Sequence, residues 1–492
     1  MALLLRQIYK SHPAYYLLLT LIGSLSFLAF EPFNVKAILP FTYAAFIHAV
    51  LDAQTLKIAF KRSLAWGFGF WLSGLGWLIV SIHYYGNTSI YIALIIILLM
   101  SFLLSLVFIA PASMLRFVID DEHWLISLLG VASSLTIIEL SRFYILGGVP
   151  WLLPGLIFLD TPLSEVIPIF GVYGASWIIY FFAGFLALNF KNFWRISPSV
   201  IGLVLILMFP YSLENEYQES DFLDVALVQP AHSPFTKYED GYKIVIENAL
   251  IKLSQDHQNQ DLIIWPESPF PYLNSSKEME NFLKRLDGLP PVISGGWQYN
   301  DSELKNVMTV VGESQVYEKT HLVPFGEYVP FESLLRGLIS FFNMPMSSVI
   351  AGQGNQELFQ VGKYQALGLI CFDIAFPLTF ISQTRKADFI INISNDTWFG
   401  SSYGPIQHLQ ISRVRALESN KWLVRVTSDG ISAIIDNKGT IVSKINKGIS
   451  GSLQGRLYPD TQSSFYLSYG YPIIPLFSFF WLLCSFVLRF RP

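Results

Sequence analysis

Apolar residues gather in long unbroken runs toward both ends of the chain and in short, punctuated runs between them. The long runs lie near 13–30, 36–51, 63–82, 89–110, 124–141, 162–188 and 197–211, with another at 471–488. A membrane-spanning helix needs about 20 mainly apolar residues, so this pattern predicts seven spans, a water-facing stretch and an eighth span. The second and seventh runs are the shortest. In the middle of the chain the runs shrink to strand length and are rich in Val and Ile: 225–228, 262–265, 291–294, 307–311, 366–371, 389–393 and 423–426. Helical or turn segments separate them, an alternation that predicts an α/β sandwich. Asn437-Lys438-Gly439 between two β-rich runs predicts a hairpin over 431–442. The spacing of Ile406, Leu409, Ile411, Val414 and Leu417 predicts an amphipathic helix over 405–420. His408 on that helix reads as a surface or packing residue rather than a ligand.

Composition supports the membrane reading: of 492 residues 52% are hydrophobic and only 14% charged, against about 25% charged in soluble proteins. The formal net charge of -4 supplies no basic field for a nucleic acid. Lys and Arg gather at alternate loops. Arg6 and Lys10 precede the first run, Lys57, Lys61 and Arg62 follow the second, Arg116 the fourth, Lys191 and Arg195 the sixth, and Arg489 and Arg491 the last. Positive residues favour the cytoplasmic side, so residues 212–466 are expected beyond the membrane, in the periplasm if the cell is bacterial. Glu214, Glu216, Glu219, Asp221 and Asp224 mark the entry to water. The expected domains are therefore 1–211 (transmembrane), 212–466 (soluble) and 467–492 (a returning span). The first run lacks a small-residue cleavage site and reads as an uncleaved anchor. Glu139 and Arg142 stand three apart at the end of a run, read either as an intramembrane functional pair or as an interfacial ion pair.

Three strand-like runs of the soluble part end on reactive side chains: 261–267 on Glu267, 315–319 on Lys319 and 366–371 on Cys371. Cys371 is one of two cysteines, and the other, Cys484, lies in the last apolar run, so two free thiols are expected. A lone buried Cys is ordinarily a small hydrophobe, a Glu after Trp-Pro a helix cap, and a Lys at a strand end a solvated charge. Active groups, however, collect beyond the carboxyl ends of strands in α/β sheets, and these three are chemically complementary. A thiol with an ordinary pKa near 8.5 needs a base or cation to become a nucleophile. Glu267 suits the base, and Lys319 with the backbone N–H of Phe372 suits the stabiliser of an oxyanion. No His or Cys spacing in this part suggests a metal site.

At these residues the chain resembles a known superfamily. Ile264-Trp265-Pro266-Glu267, the run from Tyr317 through Lys319 to Glu327, and the Cys371 strand with Asn395-Asp396-Thr397-Trp398-Phe399-Gly400 look like the nitrilase superfamily of carbon–nitrogen hydrolases. Joined to a multi-helix membrane part, they look like its apolipoprotein N-acyltransferase branch. The resemblance implies a four-layer αββα sandwich, a Glu267-Lys319-Cys371 triad, and Glu327 as a further carboxylate in the site. It implies no metal and no cofactor. It also implies a phospholipid as acyl donor, a thioester on Cys371, and the α-amino group of a diacylglyceryl-modified apolipoprotein as acceptor, at a bacterial inner membrane. The sequence departs from the family pattern at Phe372-Asp373, where Tyr-Glu is usual, and at Tyr238, where a Trp is usual. Tyr238, Asp373 and Trp398 are thereby marked as candidate substrate contacts. Phe331, Leu334, Leu335, Leu338, Ile339, Phe341, Phe342 and Met344 suggest either a lid dipping into lipid or a packed helix. Three other readings stand beside this one: a membrane-anchored amidase acting on a small amide, a Cys-His hydrolase using His321, and a non-catalytic membrane scaffold. A monomer is expected.

Overall fold

The structure, a computed structural model, describes residues 13–120, 122–190, 193–211, 221–239, 241–300, 303–328 and 348–490. Arg6, Lys10, Lys191 and Arg491, Glu214, Glu216 and Glu219, and the apolar stretch after Pro330 lie outside the described residues. The chain forms two compact units, one of residues 1–79, 89–212 and 469–492, the other of 80–88 and 213–468.

The first unit is helical. α1 (Pro13–Leu25), α2 (Ile38–Leu51), α3 (Leu56–Leu75), α4 (Ile90–Phe108), α5 (Trp124–Ser141), α6 (Ile167–Leu188) and α7 (Phe193–Met208) follow the predicted runs, except that α3 starts and ends seven residues earlier than 63–82 and so carries Lys57, Lys61 and Arg62 itself, and a C-terminal helix spans Ile473–Arg489. Among the described residues, four helical stretches, Leu56–Tyr85, Ile90–Phe117, Trp124–Ser141 and Pro162–Leu188, are long and apolar enough to cross a membrane. The other four apolar helices are shorter. At 1.5 Å per residue they fall below the bilayer's hydrocarbon thickness of about 30 Å. Small residues let α1 and α3 touch, as is common where apolar helices pack without a hydrophobic drive between them. A Cβ on Gly23 would run into the Trp66 carbonyl, and one on Gly69 into that of Thr20. Thr20 Oγ1 also donates to the Ala65 carbonyl at 3.0 Å.

Glu139 and Arg142 do not pair. Glu139 accepts from Ser176 at 2.7 Å and Tyr180 at 2.5 Å, tying α5 to α6. Arg142 donates to the Val149 and Trp151 carbonyls and lies 4.7 Å above the Trp71 ring. The interfacial ion pair expected from their spacing is replaced by two separate tethers, because the chain turns back after α5 and offers Arg142 its carbonyls.

The second unit is built on two six-stranded sheets. The first contains β1 (Leu223–Gln229), β2 (Leu262–Ile264), β3 (Val292–Asn300), β4 (Glu303–Val310), β5 (Val316–Glu318) and β12 (Gly451–Leu457), in the order β12-β1-β2-β3-β4-β5. The second contains β6 (Phe359–Val361), β7 (Tyr364–Ile370), β8 (Phe389–Ser394), β9 (Trp422–Thr427), β10 (Ser432–Ile435) and β11 (Ile441–Ile445), in the order β11-β10-β9-β8-β7-β6. Parallel pairing at β1-β2-β3 and β7-β8-β9 sets their carboxyl ends side by side. The hairpin falls at β10–β11 as predicted.

The two sheets face each other. Thr427 Oγ1 on β9 bonds Gln229 on β1 at 3.0 Å, and the space above Gly368 on β7 is filled by Met308 of β4 and Phe359 of β6. Helices cover the outer faces. α8 (Tyr242–Gln255) packs Ile246 and Leu250 onto Val228, Ile263 and Trp265 of the first sheet. α9 (Gly404–Ser419) covers the second and is buried along nearly its whole length. This corrects the amphipathic reading of 405–420. The stretch 460–468 straps across the end of α9, with Ser464 donating to the Glu418 carbonyl, while Arg413 reaches Gly439 of the hairpin turn. Such tertiary covering is invisible to a periodicity argument. The result is the four-layer αββα sandwich.

Residues 80–88, expected from sequence to be the end of the third span and the loop after it, pack within this second unit. Ser81 Oγ donates to the Trp398 carbonyl at 2.8 Å, and Tyr85 stacks on Phe235 with ring centroids 5.3 Å apart.

A close backbone approach lies under the site: a Cβ on Gly295 would come within 2.7 Å of Glu267 Cα and Ser268 N and 2.9 Å of Ile393. Gly295→Ala should therefore cost about 1–3 kcal/mol. Gly76→Ala, where nothing lies within 4 Å of the new Cβ, should stay within about 0.5 kcal/mol of the parent. Thermal denaturation of both variants in detergent checks this; equal midpoints would refute it.

Candidate active site

Each of the three reactive residues stands just past a strand end. β2 stops at Ile264, and Trp265-Pro266 carries the chain on to Glu267. Lys319 follows β5 directly, and Cys371 follows β7. The sandwich brings the two strand ends of the first sheet against the one from the second. Their side chains are buried, at 5% exposure for Glu267, 2% for Lys319 and 7% for Cys371.

Lys319 Nζ lies 3.1 Å from Glu267 Oε1 and 2.9 Å from Glu327 Oε1. Glu327, named from the resemblance alone, thus joins Lys319 and Glu267, with its second oxygen accepting from Val323 N at 2.8 Å. Asn306 on β4 was missed. Its Nδ2 donates to Glu267 Oε1 at 2.7 Å and to Glu327 Oε1 at 3.0 Å. The signal existed, since Asn is disfavoured inside strands and Asn306 interrupts the run of β4. Asn395 N donates to Glu267 Oε2 at 2.7 Å, so both Glu267 oxygens are held. No helix follows Glu267 directly, which removes the helix-cap reading; the next helix begins at Lys277.

Burial alone would lower the Lys319 pKa, but Glu267, Glu327 and the neighbouring thiol overcome it and hold the ammonium well above its usual range. Burial pushes the Cys371 thiol up, with Glu267 and Asp396 adding to the rise and Lys319 opposing it. The cation therefore does not set up a resting thiolate, contrary to one route allowed from the sequence. A protonated thiol needs a base to take its proton before it attacks, and Glu267 lies close enough to act on the thiol electrostatically.

The remaining candidates separate. Phe372 follows Cys371, its ring edge-to-face with Phe376 at 4.9 Å. Asp373 is fully buried and accepts from Tyr317 Oη at 2.9 Å, His321 N at 2.7 Å and Ile370 N at 3.1 Å. Its oxygens brace the Lys319 segment against the Cys371 turn, which corrects its reading as a substrate contact. Burial raises its pKa to about 7, against those hydrogen bonds and Lys319. Tyr238 is exposed on the loop after β1, with Lys237 over its ring at 5.4 Å. Trp398 meets Tyr85 edge-to-face at 5.8 Å. The His321 ring stacks on Phe376 at 3.7 Å and its Nε2 lies 2.7 Å from Thr379 Oγ1, and burial lowers its pKa to about 4. Those contacts are with Phe376 and Thr379 rather than the thiol, which speaks against the Cys-His321 alternative.

His408 is not at the surface: it is 1% exposed beside Cys371 and Asp396. A thiol sulfur, a carboxylate oxygen and an imidazole nitrogen from these three lie within 4.8 Å of one another, a donor set that sequence spacing did not reveal. A cation already serves it, because Arg425 Nη2 bonds Asp396 Oδ2 at 2.7 Å and His408 Nδ1 at 2.9 Å. The arrangement does not favour a metal ion.

Comparison with known proteins agrees with this layout. Residues 224–461 match the carbon–nitrogen hydrolase family model, the class whose paired sheets were described above, and residues 22–185 match the apolipoprotein N-acyltransferase N-terminal domain. Apolipoprotein N-acyltransferase of Pseudomonas syringae pv. tomato is 34% identical, with 94% of this chain and 95% of the relative covered. That of Pasteurella multocida is 32% identical over 88% and 87% respectively. Among solved structures, Saccharomyces cerevisiae Nit3 of the nitrilase superfamily matches with a TM-score of 0.38 and 18% identity over 49% of this chain and 91% of that one. The chain belongs to the apolipoprotein N-acyltransferase family.

Lys319→Met should leave two buried carboxylates facing each other and cost about 3–5 kcal/mol. Adding Glu327→Gln to that variant should recover part of the loss. Denaturant unfolding of the single and double variants checks this, and additive losses would refute the shared-cation geometry. Because the thiol pKa is raised, alkylation of Cys371 by iodoacetamide should climb about tenfold per pH unit from neutrality to pH 9 without a plateau. A plateau below pH 8 would mean a preformed thiolate.

Proposed function

We propose that this protein N-acylates lipoproteins through a Glu267-Lys319-Cys371 triad, moving an acyl chain from a membrane phospholipid to the α-amino group of a diacylglyceryl-modified N-terminal cysteine. The observation that carries the reading is the convergence of the three strand-end residues in one buried cluster, in a chain of this family. In the first half-reaction Glu267 takes the thiol proton as Sγ attacks the ester carbonyl. The Sγ–C bond forms and the carbonyl electron pair moves to oxygen. Lys319 and the Phe372 N–H stabilise that oxyanion. Collapse breaks the C–O bond, and the lysophospholipid alkoxide leaves with the proton from Glu267. In the second half the acceptor amine attacks the thioester, Glu267 takes a proton from nitrogen, and the thiolate leaves and is reprotonated. Glu327 and Asn306 hold Lys319 and Glu267 in register throughout.

The soluble part, 212–466, is assigned to the periplasmic side of a bacterial inner membrane, with 1–211 and 467–492 as its anchors. Lys57, Lys61, Arg116 and Arg489 on alternate ends of the apolar helices support that orientation. It sets a lipid-modified peptide and a phospholipid on the same side as the triad, an arrangement that hydrolysis of a small amide does not call for.

The test supplies phospholipid labelled in its acyl chain. An acyl-thioester should appear on Cys371 by mass spectrometry, and a diacylated lipopeptide should discharge it as an N-acylated product. Cys371→Ala should abolish both steps, and Glu267→Gln should slow thioester formation by about 100-fold or more. Free fatty acid without N-acylated peptide would overturn the reading.

A further inference from the structure

Behind the nucleophile runs a chain of buried polar side chains to which the reaction above gives no role. Asp396 and Arg425 are fully buried and His408 is 1% exposed. Arg425 also reaches Asn392 on β8 and Ser412 on α9, so its guanidinium is anchored on three elements. It donates to Asp396 Oδ2 at 2.7 Å and to His408 Nδ1 at 2.9 Å, while Asp396 Oδ1 lies 3.0 Å from the same Nδ1. At the other side of the ring, His408 Nε2 is 3.1 Å from the main-chain carbonyl oxygen of Cys371.

These contacts assign the ring's protonation. A carbonyl oxygen only accepts, so the proton must sit on Nε2. Nδ1 then accepts from Arg425. Burial and the Arg425 charge hold the His408 pKa below its usual value against the pull of Asp396, which agrees with a neutral Nε2–H imidazole at neutral pH.

The carbonyl it holds is in an unusual place. Cys371 has φ +50°, the left-handed region that a residue with a Cβ rarely adopts. The Cys371–Phe372 peptide is trans. In a trans peptide the C=O and the following N–H point in opposite directions, so anchoring the Cys371 carbonyl on one side directs the Phe372 N–H to the other.

We propose that His408 is the positioning residue of the oxyanion hole: by donating to the Cys371 carbonyl it turns the Phe372 N–H toward the oxygen that becomes negative when Sγ attacks an acyl carbonyl. Arg425 holds the ring and its tautomer by donating to Nδ1, and Asp396 holds Arg425. The assignment rests on Cys371 being the nucleophile. The step it assists is the addition itself, in which the Sγ–C bond forms, the carbonyl electron pair moves to oxygen and the thiol proton passes to Glu267. Loss of the His408 donor frees that peptide to rotate, leaving the thiol in place and the oxyanion poorly held.

Two reactions of the same sulfur separate this role from a merely structural one. Acylation by phospholipid develops an oxyanion; alkylation by iodoacetamide, a displacement at saturated carbon, does not. The test uses the full chain in detergent, measuring single-turnover thioester formation and, at the same pH, alkylation of the Cys371 peptide by mass spectrometry. In His408→Gln an amide N–H can take the place of Nε2–H, whereas the shorter amide of His408→Asn falls short of the carbonyl. His408→Gln should acylate within about tenfold of the parent, and His408→Asn and His408→Leu about 100-fold or more below it, with alkylation near parental in all three. Equal acylation by the Gln and Asn variants, or a parallel fall in acylation and alkylation, overturns the proposal. A parent enzyme that forms no thioester would instead sink the triad reading beneath it.

Discussion

One ammonium shared by two carboxylates in a nearly dry pocket is the interaction on which the site depends. Lys319 lies about equally close to Glu267 and Glu327, and Asn306 bridges the same two oxygens from the neighbouring strand. Burying a carboxylate without a partner is costly, and burying two beside each other more so. The cation makes the pair tolerable, and the pair in turn keeps the lysine charged where burial would discharge it. The constraint explains why a base is found beside a thiol at all. Glu267 stays near Cys371 because its charge is neutralised in place, not because water reaches it.

The thiol is handled in the opposite way. Its surroundings favour the protonated form, so in the proposed reaction reactivity arises only when a substrate arrives and the proton moves to Glu267. What is built in advance is geometry. The left-handed Cys371 backbone, the Asp373 carboxylate binding the amide of Ile370 and the hydroxyl of Tyr317, and the His408 hydrogen bond fix the turn on which the sulfur sits. A transferase that must pass an acyl group to an amine rather than to water gains from such an arrangement, since an idle thiolate would react with whatever electrophile entered.

Much of this was legible in the chain. Residue hydropathy placed most of the apolar helices within a few residues, because twenty apolar side chains in a row have few places to go, but it set α3 seven residues too late. Strand-length runs ending on Glu267, Lys319 and Cys371 marked the three residues of the proposed triad, because in parallel sheets the carboxyl ends are where side chains are free to converge. Less was legible where one residue's environment is made by distant ones. His408 and Arg425 sit on a helix and a strand that look ordinary in sequence. Their meaning depends on Asp396, which is not their neighbour in the chain. Asp373 looked like a substrate contact because it follows the nucleophile by two, yet the 3-10 turn that begins at Cys371 points it back at the Lys319 segment.

The sequence by itself thus determined the membrane-seeking helices, the layered α/β class and the three residue types that make a nucleophile, a base and a cation, since each follows from local composition and period. Only the tertiary structure decided how those charges are balanced. Which carboxylate shares the lysine, which amide holds Glu267, and which way the peptide after Cys371 faces are set by contacts between strands and helices far apart in the chain. In a site this dry such contacts, rather than the residue types, fix what each group does.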